Sequence, residues 1–155
     1  MKPYAYILRS IADYANVKSI KQIAMQPGVQ SAYRVTLHHQ DMRAADAVVS
    51  VVQKASGELQ LEAVYQGRFS NRPLQRALPE QDFKSWVLLL REIGFDHLDD
   101  YEDIPLTEAD LCMVERAAGG FAKSVIFVPQ KAEADFAKLL DAIQLYLPEA
   151  LREIR

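Results

Sequence analysis

Cysteine, histidine and glycine are all scarce in this chain, and each shortage closes off a class of chemistry. Cys112 is the single cysteine in 155 residues, so no intrachain disulfide can form and a zinc site built on several thiolates is excluded. The three histidines include an adjacent pair, His38 and His39. In a strand these two point to opposite faces and cannot hold one ion between them. None of the glycines forms a GxGxxG loop, and Gly119-Gly120 lacks the lysine and the serine or threonine of a P-loop. No cofactor and no metal are expected. Long apolar runs are missing too. The longest, Trp86 to Leu90, is far short of the ~20 residues that span a bilayer. The opening MKPYAYILRSIADY is interrupted by Arg9, Ser10 and Asp13, unlike a secretory leader. These absences predict a cytoplasmic protein with no membrane partner.

What remains is ordinary globular material. Half of the residues are hydrophobic and a quarter are charged, which suits a single domain over residues 1–155 with one core. A formal charge of −3 argues against a wholly basic, nucleic-acid-binding surface.

Apolar periodicity organises the chain. Tyr4 to Gln26 repeats at helical intervals, with Ile7, Ile11, Tyr14 and Ala15 on one stripe and Ile20, Ile23 and Ala24 on another. This predicts one bent helix or two short ones, stopped by Pro27-Gly28. Val29 to His38 alternates, with Tyr33, Val35 and Leu37 opposite Arg34, Thr36 and His38, as a strand does. Ala47 to Lys54 and Leu59 to Phe69 are two more strands, joined by a turn at Gly57. Pro79, Glu80 and Asp82 open a helix whose apolar face holds Phe83, Trp86, Val87, Leu90 and Ile93, and Gly94 sits where a left-handed cap belongs. Leu88 and Leu89 widen that face beyond what one neighbour buries. Thr107 and Asp110 have the spacing of a capping box. However, the β-rich runs flanking Gly119-Gly120, Leu111 to Ala117 and Phe121 to Val128, favour a hairpin over a helix. Lys131 to Leu147 is a final amphipathic helix, ended or kinked at Pro148.

The predicted fold class is therefore α+β. It is a single five-stranded antiparallel sheet with helices packed on it, in the order α-β-β-β-α-β-β-α. That order resembles the secretion-chaperone-like fold, shared by the small acidic dimeric chaperones of type III secretion and by some bacterial regulators. The resemblance covers most of the chain, rests on element order without a shared motif, and implies a binding role.

Two charged segments are the candidate sites. Asp96, Asp99, Asp100, Glu102 and Asp103 crowd together beside His97, but neither register from Asp96 or Asp99 supplies the glycine of a calcium loop. They are expected to form a solvated connector that a partner could touch through Asp99 and Asp100. Gly67 to Arg76 places Arg68, Arg72 and Arg76 around Phe69, a pattern able to meet an anion. With no GxSxG elbow and no base beside Cys112 in sequence, the leading expectation is a non-enzymatic interaction module. It would bind another protein or a second copy of itself as a homodimer, with Leu88 as a surplus apolar contact. The alternative is a small ligand-binding or hydrolytic enzyme that combines the arginine segment with the acidic connector. The third is anion or nucleic-acid binding through Arg68, Arg72 and Arg76.

Overall fold

A computed structural model of the protein describes residues 3–66, 73–105 and 109–153. Its elements run α1 (Pro3–Tyr14), α2 (Ile20–Ala24), β1 (Val29–His38), β2 (Asp46–Lys54), β3 (Leu59–Gln66), β4 (Leu74–Ala77), α3 (Glu80–Glu92), β5 (Leu111–Ala118), β6 (Phe121–Phe127) and α4 (Asp135–Tyr146). The strands form one antiparallel sheet in the order β4-β3-β2-β1-β5-β6. The α+β class and the antiparallel sheet are as the periodicity predicts, and the segment after Asp110 is indeed a hairpin, closed by Gly119 at φ 56°. Thr107 lies outside the described residues.

The expected five strands are six, and the order α-β-β-β-α-β-β-α gains a strand and a helix. The added strand, β4, begins inside the arginine-bearing segment, past the last strand that the periodicity predicts before α3. Leu74-Gln75-Arg76-Ala77 contains no β-branched residue, so propensity does not announce it. It is a strand because Gln60 to Ala63 of β3 offer it a ladder. The added helix, α2, starts from a capping box. The Gln22 N–H donates to Ser19 Oγ (3.2 Å) and the Ser19 N–H donates to Gln22 Oε1 (3.0 Å). The phase break predicted near Asn16 is thus a true helix end, with Asn16 in the left-handed region at φ 58°.

The first helical stripe is also shifted. Tyr4, Leu8, Ile11 and Ala12 are buried, whereas Tyr14 is 79% exposed. The spacing 4-8-11-12 fits a helix face as well as 7-11-14-15 does, and only the sheet's position chooses between them.

Register divides the sheet into rows. On one face, Arg76–Leu61–Val51–Tyr33–Arg116–Lys123 and Leu74–Ala63–Val49–Val35–Val114–Val125 lie side by side. This face packs against Phe83, Trp86 and Leu90 of α3 and Leu139, Ala142 and Ile143 of α4. On the other face, α1 covers Val48, Met113 and Ile126, and α2 covers Ala32 and Ala117. Between those two patches runs a polar row, Gln75–Glu62–Ser50–Arg34–Glu115–Ser124. Arg34, on the strand face that looks polar in sequence, is nonetheless buried, because helices cover both faces. Its Nε donates to Ser50 Oγ (2.9 Å). Burial lowers the Arg34 pKa against the pull of Glu115 and Glu62, and burial raises that of Glu115. No helix among the described residues is long and apolar enough to cross a membrane.

Candidate interaction surface

The C-terminal end of α3 sets the surface. Gly94 takes φ 63°, which a side chain would resist, and its N–H donates to the Arg91 carbonyl (3.0 Å). This turns the chain into a single 3₁₀ turn, Phe95–His97. Phe95 drops into the core as the anchor, so Asp96 and His97 remain outside beside the sheet. A groove of about 310 Å³ opens there, lined by Tyr33, Val87, Leu90, Arg91, Gly94, Phe95, Asp96, His97 and Arg116.

The groove is mainly cationic at its polar end. Arg116 Nη1 stands 3.5 Å from Asp96 Oδ1, yet it is buried and makes no hydrogen bond. The Arg116 guanidinium also lies 5.0 Å from the Phe121 ring centroid, a cation–π contact that holds it against the sheet. Tyr33, at the floor, meets Phe83 and Trp86 edge-on at 5.8 and 6.4 Å. Burial raises the Tyr33 phenol above its ordinary pKa although Arg116 pulls the other way. A neutral phenol, two guanidiniums and an imidazole therefore face one carboxylate.

The apolar end of the groove continues along α3. Phe83, Lys84, Val87, Leu88 and Arg91 line a shallow concavity of about 350 Å³, and Val87 and Arg91 belong to both hollows. Leu88 is 55% exposed on this flank. The sequence singled out Leu88 from the excess width of the helix stripe. It missed Arg91, which reads as the wet side of the helix, and Arg116. Arg116 did leave a signal, a charged residue in phase with Cys112 and Val114 on a strand face that otherwise faces the core.

The acidic connector is only partly solvated. Asp100 accepts a hydrogen bond from the Ile126 N–H (2.9 Å), and the Tyr101 N–H donates to the Ile126 carbonyl (2.9 Å). Together they close the β6 edge at that residue as a further strand would. Asp100→Ala is expected to leave the buried Ile126 amide unpaired and to cost about 1–3 kcal/mol, whereas Asp100→Asn keeps an acceptor and most of the stability. Urea melts and hydrogen exchange at Ile126 measure both. Asp99 is exposed and has no ion partner among the described residues.

Arg76 takes another role. On β4, at the opposite edge of the sheet from β6, its Nη2 donates to Glu149 Oε1 (3.2 Å) and its Nε to Glu149 Oε2. Burial opposes ionisation of Glu149, but the hydrogen bonds from Arg76 outweigh it and hold the carboxyl below its ordinary pKa. Arg76 is thus neither free for an anion nor near Asp99 and Asp100. Arg68 and Arg72 lie outside the described residues.

A second polar cluster sits at the far end of β1. Asp110, 5% exposed, accepts from Arg43 Nη2 (2.6 Å), Gln130 Nε2 (2.6 Å) and the Gln40 N–H (3.1 Å). His39 is buried with its Nδ1 3.8 Å from Asp110 Oδ2. His38 pairs instead with Asp46 (3.1 Å), which raises its pKa. The two imidazoles diverge, His39 standing one residue past the end of β1, and no group of three or more His, Cys, Asp or Glu side chains among the described residues is placed to hold a metal. Cys112 is fully buried in β5, and burial pushes its thiol far above the ordinary range, so it packs as a small apolar residue.

No protein-family model matches this chain, and no curated protein matches it.

Proposed function

We propose that the chain is a non-enzymatic interaction module that binds another protein on the flank of α3. The observation that carries this is the continuity of an exposed leucine with a groove. Leu88 stands on a helix whose opposite face is already saturated by the sheet and α4, so the width of its apolar stripe is left for a partner. Covering what remains exposed of Leu88 would contribute roughly 1–2 kcal/mol to docking. The polar groups beside it supply direction, as the rim of an interface does.

A photo-crosslinking side chain placed at position 88, with Glu58 on the β2–β3 turn as the control position, tests this in the cells that make the protein. A discrete adduct at 88 and none at 58 is expected. Leu88→Asp should weaken capture of that same protein about tenfold or more while changing stability by no more than ~0.5 kcal/mol, as for other surface changes. Equal labelling at both positions would sink the proposal.

A further inference from the structure

The two hollows on α3 share Val87 and Arg91, so a single bound segment can reach both. The apolar hollow, with Phe83, Val87 and Leu88, suits an aliphatic or aromatic side chain. The adjoining groove differs in charge. Arg91, Arg116 and His97 line it against the single carboxylate of Asp96. Arg91 has no ion pair among the described residues, and Arg116 Nη1, buried from water, makes no hydrogen bond and has only Asp96 at 3.5 Å. A guanidinium nitrogen buried without a hydrogen bond is costly, and a second carboxylate supplies two acceptor oxygens in a geometry that guanidinium matches. A basic side chain in the same place has no acceptor to offer, and an amide offers one neutral oxygen in place of two charged ones.

We infer that the partner segment is acidic and apolar at once. It seats a hydrophobic side chain on Leu88 and Val87 and delivers an Asp or Glu carboxylate to Arg91 and Arg116. The inference rests on the proposed docking at α3 and assigns its chemistry. Charge complementarity calls for an acid at the two arginines; a second copy, whose α3 carries Glu80, Asp82 and Glu92 beside Lys84 and Arg91, is the competing occupant that sedimentation tells apart.

Selection of random heptapeptides on the immobilised full chain is the test. The expected consensus pairs Leu, Ile or Phe with Asp or Glu. A selected peptide should bind about tenfold more weakly once its acid is changed to the amide. Arg91→Gln, on the exposed side of the helix, should erase most of the difference between acid and amide peptides, and Arg116→Gln should do the same if circular dichroism shows it folded. Leu88→Asp should weaken both peptides. A consensus without an acid, a basic consensus, or no consensus would overturn the inference. If apolar peptides still lose affinity with Leu88→Asp, docking at α3 survives that failure. A dimer in sedimentation that Leu88→Asp dissolves would also overturn it, since the surface would then belong to a second copy.

Discussion

A Trp86→Ala chain is expected to lose about 3–5 kcal/mol of unfolding free energy, the usual range for truncating a large buried aromatic residue. Trp86 is fully buried at the centre of the α3 interface, and its ring meets Tyr33 edge-on at an interplanar angle of 84°. Removing it leaves a void under Tyr33, which forms the floor of the groove, so loss of stability and loss of groove shape arrive together. Trp86→Phe should cost much less. The Trp86 Nε1–H is buried without a hydrogen-bond partner, and phenylalanine discards that unmet donor along with part of the ring. Because Trp86 is the only tryptophan, its fluorescence reports unfolding of the parent chain and circular dichroism must follow both variants. Equal losses for Ala and Phe would show that the cost does not follow the ring volume removed and would sink the cavity argument.

Asp110→Ala should remove about 2–4 kcal/mol, because the carboxylate ties the loop after β1 to the start of β5 and to Gln130 through hydrogen bonds to a cation, an amide side chain and a backbone N–H. The pH dependence gives a second readout. Burial opposes ionisation of Asp110, yet the bonds from Arg43, Gln130 and Gln40 prevail and hold its pKa at about 2. A carboxyl with a depressed folded-state pKa contributes fully above its unfolded value, near 4, and loses that contribution as pH falls toward 2. Over that window the parent chain should lose about 2 kcal/mol that Asp110→Asn never had. Denaturant midpoints at a series of pH values compare the two slopes. Parallel slopes would show that Asp110 does not carry the linkage.

Much of the fold is legible in the sequence because its signals are local. The helix from Glu80 to Glu92 carries its own acidic first turn and its own Gly94 stop. The β5–β6 hairpin carries its Gly-Gly turn and β-rich runs. These features survive without knowledge of neighbours. β4 is the counterexample, a four-residue strand with no propensity of its own that exists because β3 pairs with it. The true face of α1 is another, since two stripes satisfy helical spacing and only contact with Val48, Met113 and Ile126 selects one.

The candidate surface divides the same way. Leu88 could be found because amphipathic width is a property of one helix. Arg91, Tyr33, Asp96 and Arg116 could not be joined by spacing, because they come from α3, β1, a 3₁₀ turn and β5. Asp100, which looks in sequence like one more solvated acid, bonds the Ile126 amide because the chain happens to pass the β6 edge there.

By itself the sequence determined the α+β class, the antiparallel pairing, the central helix with its apolar surplus and the exclusion of an intrachain disulfide, since composition and periodicity act along the chain. Tertiary structure alone decided that the sheet has six strands and that Arg34 is buried. It also decided that Arg76 is engaged by Glu149 and that a cationic groove adjoins Leu88. Each of these depends on which distant residues pack together, and the chain's local free-energy preferences do not encode that.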